Sequence, residues 1–341
     1  VETASNGVLR FVGINGERPA WTVHFGAETA ADGSGLPARL LTADDGRVLA
    51  VQKWVPADLP SRLPAAYDLL ENEIRAGTRL IRRYGRSYPV ELARLVGYDV
   101  DAEQPFVLVT QPRGEPLDTV AGQLLLAEQR AFEASLFRAL LLLAGADLVH
   151  GNLTPQTVRW DGTAVQVRDF GHATVCGEPR VGHEGGVWSP AEQRTGTGAA
   201  APADDVWAGG MLLYHVVTGR RPSVRTGPPN LADRGAALRS VLDGVFAETA
   251  DGRPDAAEIL RRMRADTALP PGSAGTDAVF EEGGRRFDEV RRSKLPPPVQ
   301  AAHPPPRSSR QRSRALALTA ATLLVVIVAV AAAVVLTVWR P

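Results

Sequence analysis

Three short stretches carry side chains whose types and spacing could do chemistry. Asp169, in Arg168-Asp169-Phe170-Gly171, follows the alternating strand pattern Val165-Gln166-Val167. It is either a plain turn carboxylate or an oxygen ligand for a hard cation. Lys53 ends the strand-like run Ala50-Val51-Gln52-Lys53. Residues two apart share one face of a strand, so Val51 and Lys53 point the same way. Of 38 basic residues only Lys53 and Lys294 are lysine. A merely basic position in this chain would be arginine, and a point ammonium does not interchange with a guanidinium fork. The third stretch, Val149 to Val158, offers amide and hydroxyl groups at Asn152, Thr154 and Thr157. Asn152 is nearly isosteric with aspartate but cannot accept a proton as a carboxylate does.

Other residues belong with these three stretches. Glu73, in Leu70-Glu71-Asn72-Glu73-Ile74, lies on a helical pattern near 65–83 and is a candidate partner for Lys53. Glu71 faces another direction on the same helix. Asp32-Gly33-Ser34-Gly35-Leu36-Pro37-Ala38 supplies Gly33 and Gly35 ahead of Lys53, but Pro37 removes an N–H donor. Thr110-Gln111-Pro112-Arg113-Gly114 follows the hydrophobic strand pattern at 105–109.

The order and spacing of these motifs resemble the eukaryotic-type Ser/Thr protein kinase family, specifically a membrane-anchored bacterial pseudokinase. Ala50-Val51-Gln52-Lys53 resembles V-A-I-K, His150-Gly151-Asn152 resembles the start of H-R-D, and Asp169-Phe170-Gly171 is an intact D-F-G. Ser189-Pro190-Ala191-Glu192, Asp205-Val206-Trp207 and Arg253-Pro254 resemble later landmarks of that family. The resemblance implies an α+β, bilobal kinase-like fold over 18–267, with a small β-rich lobe to about 114 and a larger helical lobe from about 115. It implies ATP held by Lys53, Glu73, Gly33, Gly35 and Thr110, with magnesium on Asp169. It further implies a Glu192–Arg253 ion pair and a catalytic loop braced by Asp205. The catalytic positions themselves are degenerate. Asn152 stands for the base, Thr154 for the loop lysine and Thr157 for the metal-binding Asn, so ATP and magnesium binding is expected to be weak or absent.

The rest of the 341-residue chain sets context. Formal net charge is zero, which implies no pull toward nucleic acid. Cys176 is the single cysteine, which excludes an intrachain disulfide. His172, Cys176 and His183 match no standard metal-ligand spacing. Residues 1–17 read as a lead-in without a signal segment, and 268–314 as a Pro/Arg-rich juxtamembrane linker. Ala315–Trp339 is an apolar run of 25 residues, long enough as a helix to cross roughly 30 Å of hydrocarbon. Arg307, Arg310, Arg312 and Arg314 precede it, predicting a single-pass C-terminal anchor with the N-terminal domain in the cytoplasm.

The expected function is a membrane-tethered pseudokinase serving as scaffold or allosteric regulator. A protein partner is expected, either a true kinase or a phosphopeptide-binding module. One alternative is a slow divergent Ser/Thr kinase that transfers the ATP γ-phosphate. Another is a nucleotide-independent adaptor phosphorylated at sites such as Ser308, Ser309 and Ser313.

Overall fold

The computed structural model describes residues 5–29, 35–182, 186–223, 228–231 and 235–272, together with 285, 286 and 289. The chain divides between Arg291 and Arg292, and all described residues fall in the first unit.

The first part is built from strands around one long helix. In chain order they are β1 (Ser5–Arg10), β2 (Val12–Gly13), β3 (Ala20–Phe25), β4 (Ala38–Thr42) and β5 (Val48–Trp54). Then come α1 (Leu59–Arg62), α2 (Ala66–Tyr84), β6 (Leu95–Asp99) and β7 (Phe106–Val109). The sheet order is β1-β3-β4-β5-β7-β6-β2. Only Phe11 separates β1 from β2, yet they pair with opposite edges of the sheet, β1 with β3 and β2 with β6. The sheet therefore curls until one stretch of chain covers both of its edges, which removes two rows of unpaired backbone groups.

Strand alternation sorts the side chains of β5. Ala50 and Trp54 turn into the curl, where they pack with Leu9, Phe11, Val23, Leu41, Phe106 and Leu108. Val51 turns outward with Val107 and Val109 against Leu69 and Leu70 of α2. Lys53 has the parity of Val51, and so it too faces the α2 side.

Helix α2 buries Leu69, Leu70, Glu73, Ala76, Gly77, Leu80 and Tyr84, a stripe at helical spacing. It stops at Gly85, whose positive φ of 48° suits a residue without a side chain.

The second part is mainly helical. It comprises β8 (Glu115–Pro116), α3 (Leu117–Val120), α4 (Leu126–Gly145), β9 (Leu148–Val149), β10 (Val158–Trp160), β11 (Val165–Val167) and β12 (Thr174–Val175). It ends with α5 (Ala191–Thr195), α6 (Pro202–Thr218), α7 (Ala236–Leu242) and α8 (Ala256–Arg262). One apolar core joins α4, α6 and α8 through residues such as Phe132, Leu136, Leu140, Leu212, Val216 and Leu260. Asp255 caps α8, its carboxylate accepting from the Glu258 N–H at 2.6 Å.

The expected fold class needs correction. The architecture is a mixed α/β fold, a curled sheet followed by a helical region, with no transmembrane helix among the described residues. No described helix is long and apolar enough to cross a membrane, and the run 315–339 lies outside the described residues. The membrane-anchored family member, the tethered function, the membrane partner and the cell-membrane location all depended on that helix. With no such helix among the described residues, they are withdrawn.

Candidate functional site

Sequence-distant charges converge where α2 meets the end of β11. Lys53 Nζ lies 3.0 Å from Glu73 Oε1 and 2.5 Å from Asp169 Oδ1. The three side chains are almost wholly buried, at 1%, 2% and 1% exposure. Burial works to lower the Lys53 pKa, but the Asp169 and Glu73 carboxylates outweigh it and the net shift is upward. The group is an ammonium.

Each side chain is positioned by its element. Strand β5 fixes Lys53, bound on both sides by β4 (Ala38 opposite Lys53) and β7 (Val107 opposite Lys53). The buried stripe of α2 supplies Glu73. Asp169 sits in the left-handed region, φ 65° and ψ 63°, where the chain leaves β11. A non-glycine residue there is held by its surroundings. From α2, Asn72 donates its amide to the Gly171 carbonyl at 2.9 Å, clasping the same turn.

Arg168 completes the cluster. Its Nε is 3.1 Å from Asp169 Oδ2, and a terminal nitrogen is 3.5 Å from Oδ1. Its backbone is pinned on both sides: the N–H donates to Thr157 O at 2.9 Å, and the carbonyl faces His150 Nε2 at 2.8 Å. Sequence reasoning passed over this residue, since one arginine among so many carries no signal.

The loop after β9 is tied down just as firmly. Asp205, at the start of α6, accepts from the His150 and Gly151 N–H groups at 2.6 and 3.1 Å. Burial pushes its carboxyl up to about 7, although the two donors oppose that shift. Gly151 has φ +76°, and a Cβ there would stand 2.6 Å from the His172 carbonyl oxygen. No side chain fits, so the loop has no arginine at this position.

Asn152 is 9% exposed and supplies no carboxylate. Thr157 is fully buried, and its hydroxyl donates to Asn152 O at 2.9 Å while accepting from Thr154 N–H at 2.8 Å. That hydroxyl is committed to holding the loop.

The other sequence candidates do not join the cluster. Gly33 lies outside the described residues. A Cβ on Gly35 would lie 3.3 Å from Leu63 and 3.6 Å from Leu69, so this segment packs on the first helices. Thr110 is paired with Arg94, donating its N–H to the carbonyl at 2.9 Å and accepting the Arg94 N–H at 3.0 Å. The neighbouring Pro112 has no N–H, and the Arg113 N–H is taken by Gln166 Oε1 at 2.8 Å. Burial and Asp147 raise the Cys176 thiol to about 12, and no metal-holding group of three or more His, Cys, Asp or Glu residues occurs among the described residues.

Two structural landmarks are also present. Arg253 reaches Glu192 at 2.7 Å, with its guanidinium fully buried and 4.9 Å from the Trp207 ring centre.

No family model matches this chain. Among curated proteins it is similar to a probable serine/threonine-protein kinase, PkwA of Thermomonospora curvata. The two are 25% identical over 193 residues, which cover 51% of this chain and 26% of that protein. The matched part thus spans about a quarter of the relative. This weak likeness agrees with a kinase-like domain and says nothing of a membrane anchor.

Proposed function

We propose that the described domain is a kinase-like receptor for the phosphates of a nucleotide, and that it does not transfer them. The observation that carries this reading is Lys53 held between Glu73 on the long helix and Asp169 on the turn after β11. A buried ammonium so placed, with an arginine beside it, is a recognition element for phosphate oxygens. Lys53 Nζ has no well-directed hydrogen-bond partner, so the ammonium keeps donor capacity for a phosphate oxygen.

Transfer lacks its parts. The amide of Asn152 cannot take a hydroxyl proton, and the Thr157 hydroxyl is already engaged by its own loop. Recognition of the base is also thin, because Pro112 has no N–H and that of Arg113 is occupied. Phosphates therefore dominate binding, and ATP and GTP should behave alike.

Thermal unfolding of the full chain tests the reading. ATP and GTP at about 100 times the dissociation constant should each stabilise the fold by roughly 2.7 kcal/mol. Lys53→Met combined with Glu73→Gln removes one charge of each sign and should abolish the effect without leaving a lone buried charge. Equal stabilisation of this double variant would overturn the assignment.

A further inference from the structure

The kinase resemblance implies magnesium on Asp169, and the residues around Asp169 do not fit it. A magnesium ion asks for a nearly octahedral set of oxygens and keeps several waters. Here both Asp169 oxygens already face cations: Lys53 at 2.5 Å from Oδ1 and Arg168 Nε at 3.1 Å from Oδ2. The cations Lys53 and Arg168 already offset the carboxyls of Glu73 and Asp169, and burial pushes the Glu73 pKa upward, so the cluster carries no surplus negative charge. A divalent ion would add two positive charges beside two existing ones, in a place that water does not screen. The second ligand position offers no help, since the Thr157 hydroxyl is bonded within its own loop.

We infer that Arg168 takes the place of a metal ion at Asp169, so that this site takes nucleotide phosphates without a divalent cation. The inference rests on the nucleotide-receptor reading above. Arg168 lies against Asp169 Oδ2, the oxygen a metal would need, and it is not a surface side chain that happens to lie there. Its side chain is 10% exposed, and its backbone is pinned to Thr157 and His150. A guanidinium carries five N–H donors in a planar fork. The contact with Asp169 Oδ2 is an ion pair rather than a well-directed hydrogen bond, which leaves donors on that fork for a phosphate. Lys53 and Arg168 then share the work of neutralising the ligand, while Asp169 orients the two of them.

The test uses the full chain and a fluorescent ATP analogue, titrated in excess EDTA and again in excess magnesium. The dissociation constants should agree within about threefold, a difference below 1 kcal/mol. Arg168→Gln should weaken binding in EDTA by about tenfold or more, and added magnesium should restore it once Asp169 is freed. Arg168→Lys keeps the charge and should remain independent of metal, which separates the role of the charge from a general loss of structure. If EDTA abolishes binding to the unaltered chain, the metal substitution is wrong and the nucleotide reading survives. If nothing binds in either buffer, both are wrong.

Discussion

At the scale of single residues, the proposed chemistry turns on two side chains. Asn152 differs from aspartate by one amide nitrogen, and Arg168 differs from its many arginine neighbours only in location. Asp205 provides a pH signature that can be measured. Burial holds its folded-state pKa near 7, against 3.8 for the unperturbed group. Between those values the folded chain keeps a proton that the unfolded chain has released, so stability falls as pH rises through this window. Asp205→Asn removes the titration. The stability advantage of the unaltered chain over the variant should be largest near pH 4, shrink to about pH 7 and stay flat above it, as read by chemical denaturation. A difference that grows with pH would show that the two backbone donors outweigh burial.

Much of the site was legible at this scale. Lys53 stood out because lysine is rare in this chain, and Asp169 because it follows an alternating strand. Arg168 was not legible, since its meaning lies entirely in its 8% exposure and in the carboxylate it faces. Gly35 and Thr110, expected from motif position, lie apart from the charged cluster. Leu63 and Leu69 pack on one, and Arg94 holds the other.

At the scale of elements, hydrophobic period located the long helices to within a few residues. The pattern near 65–83 became Ala66–Tyr84. What period could not reveal was Ser5–Gly13, whose role as the closure of a curled sheet depends on partners distant in sequence. The Glu192–Arg253 pair links α5 to the start of α8. Arg253 also donates to the Ala247 and Ala203 carbonyls at 3.1 and 3.3 Å. Arg253→Ala would strip the half-buried Glu192 carboxylate of this cation, while Asp204 keeps Arg180 at 2.9 Å, and should cost about 3 kcal/mol in equilibrium unfolding, the low end for a buried pair. Arg253→Lys should recover little, because one ammonium cannot serve several acceptors in one plane. A loss within about 0.5 kcal/mol, typical of surface changes, would mean that this pair does not brace the helical region.

At the scale of the whole molecule, curled sheet and helical region meet at four charges drawn from β5, α2 and the turn after β11. The sheet sets the height of Lys53, the long helix carries Glu73 and clasps Gly171 through Asn72, and the loop after β9 is locked by Asp205 and Thr157. The same framework that would position phosphates leaves no carboxylate to take a hydroxyl proton from an acceptor. On the proposed reading binding and transfer are separable: Lys53 and Arg168 would serve the first, while Asn152 offers no carboxylate for the second.

The most direct measurement follows the fate of γ-labelled ATP held at saturation by the full chain, in the presence of a protein substrate rich in serine and threonine. The nucleotide should be recovered intact, with label on neither the chain nor the substrate beyond what the Lys53→Met/Glu73→Gln variant shows. Label accumulating on either protein faster than with that variant would contradict that expectation, and would mean that Asn152 does not stop phosphoryl transfer.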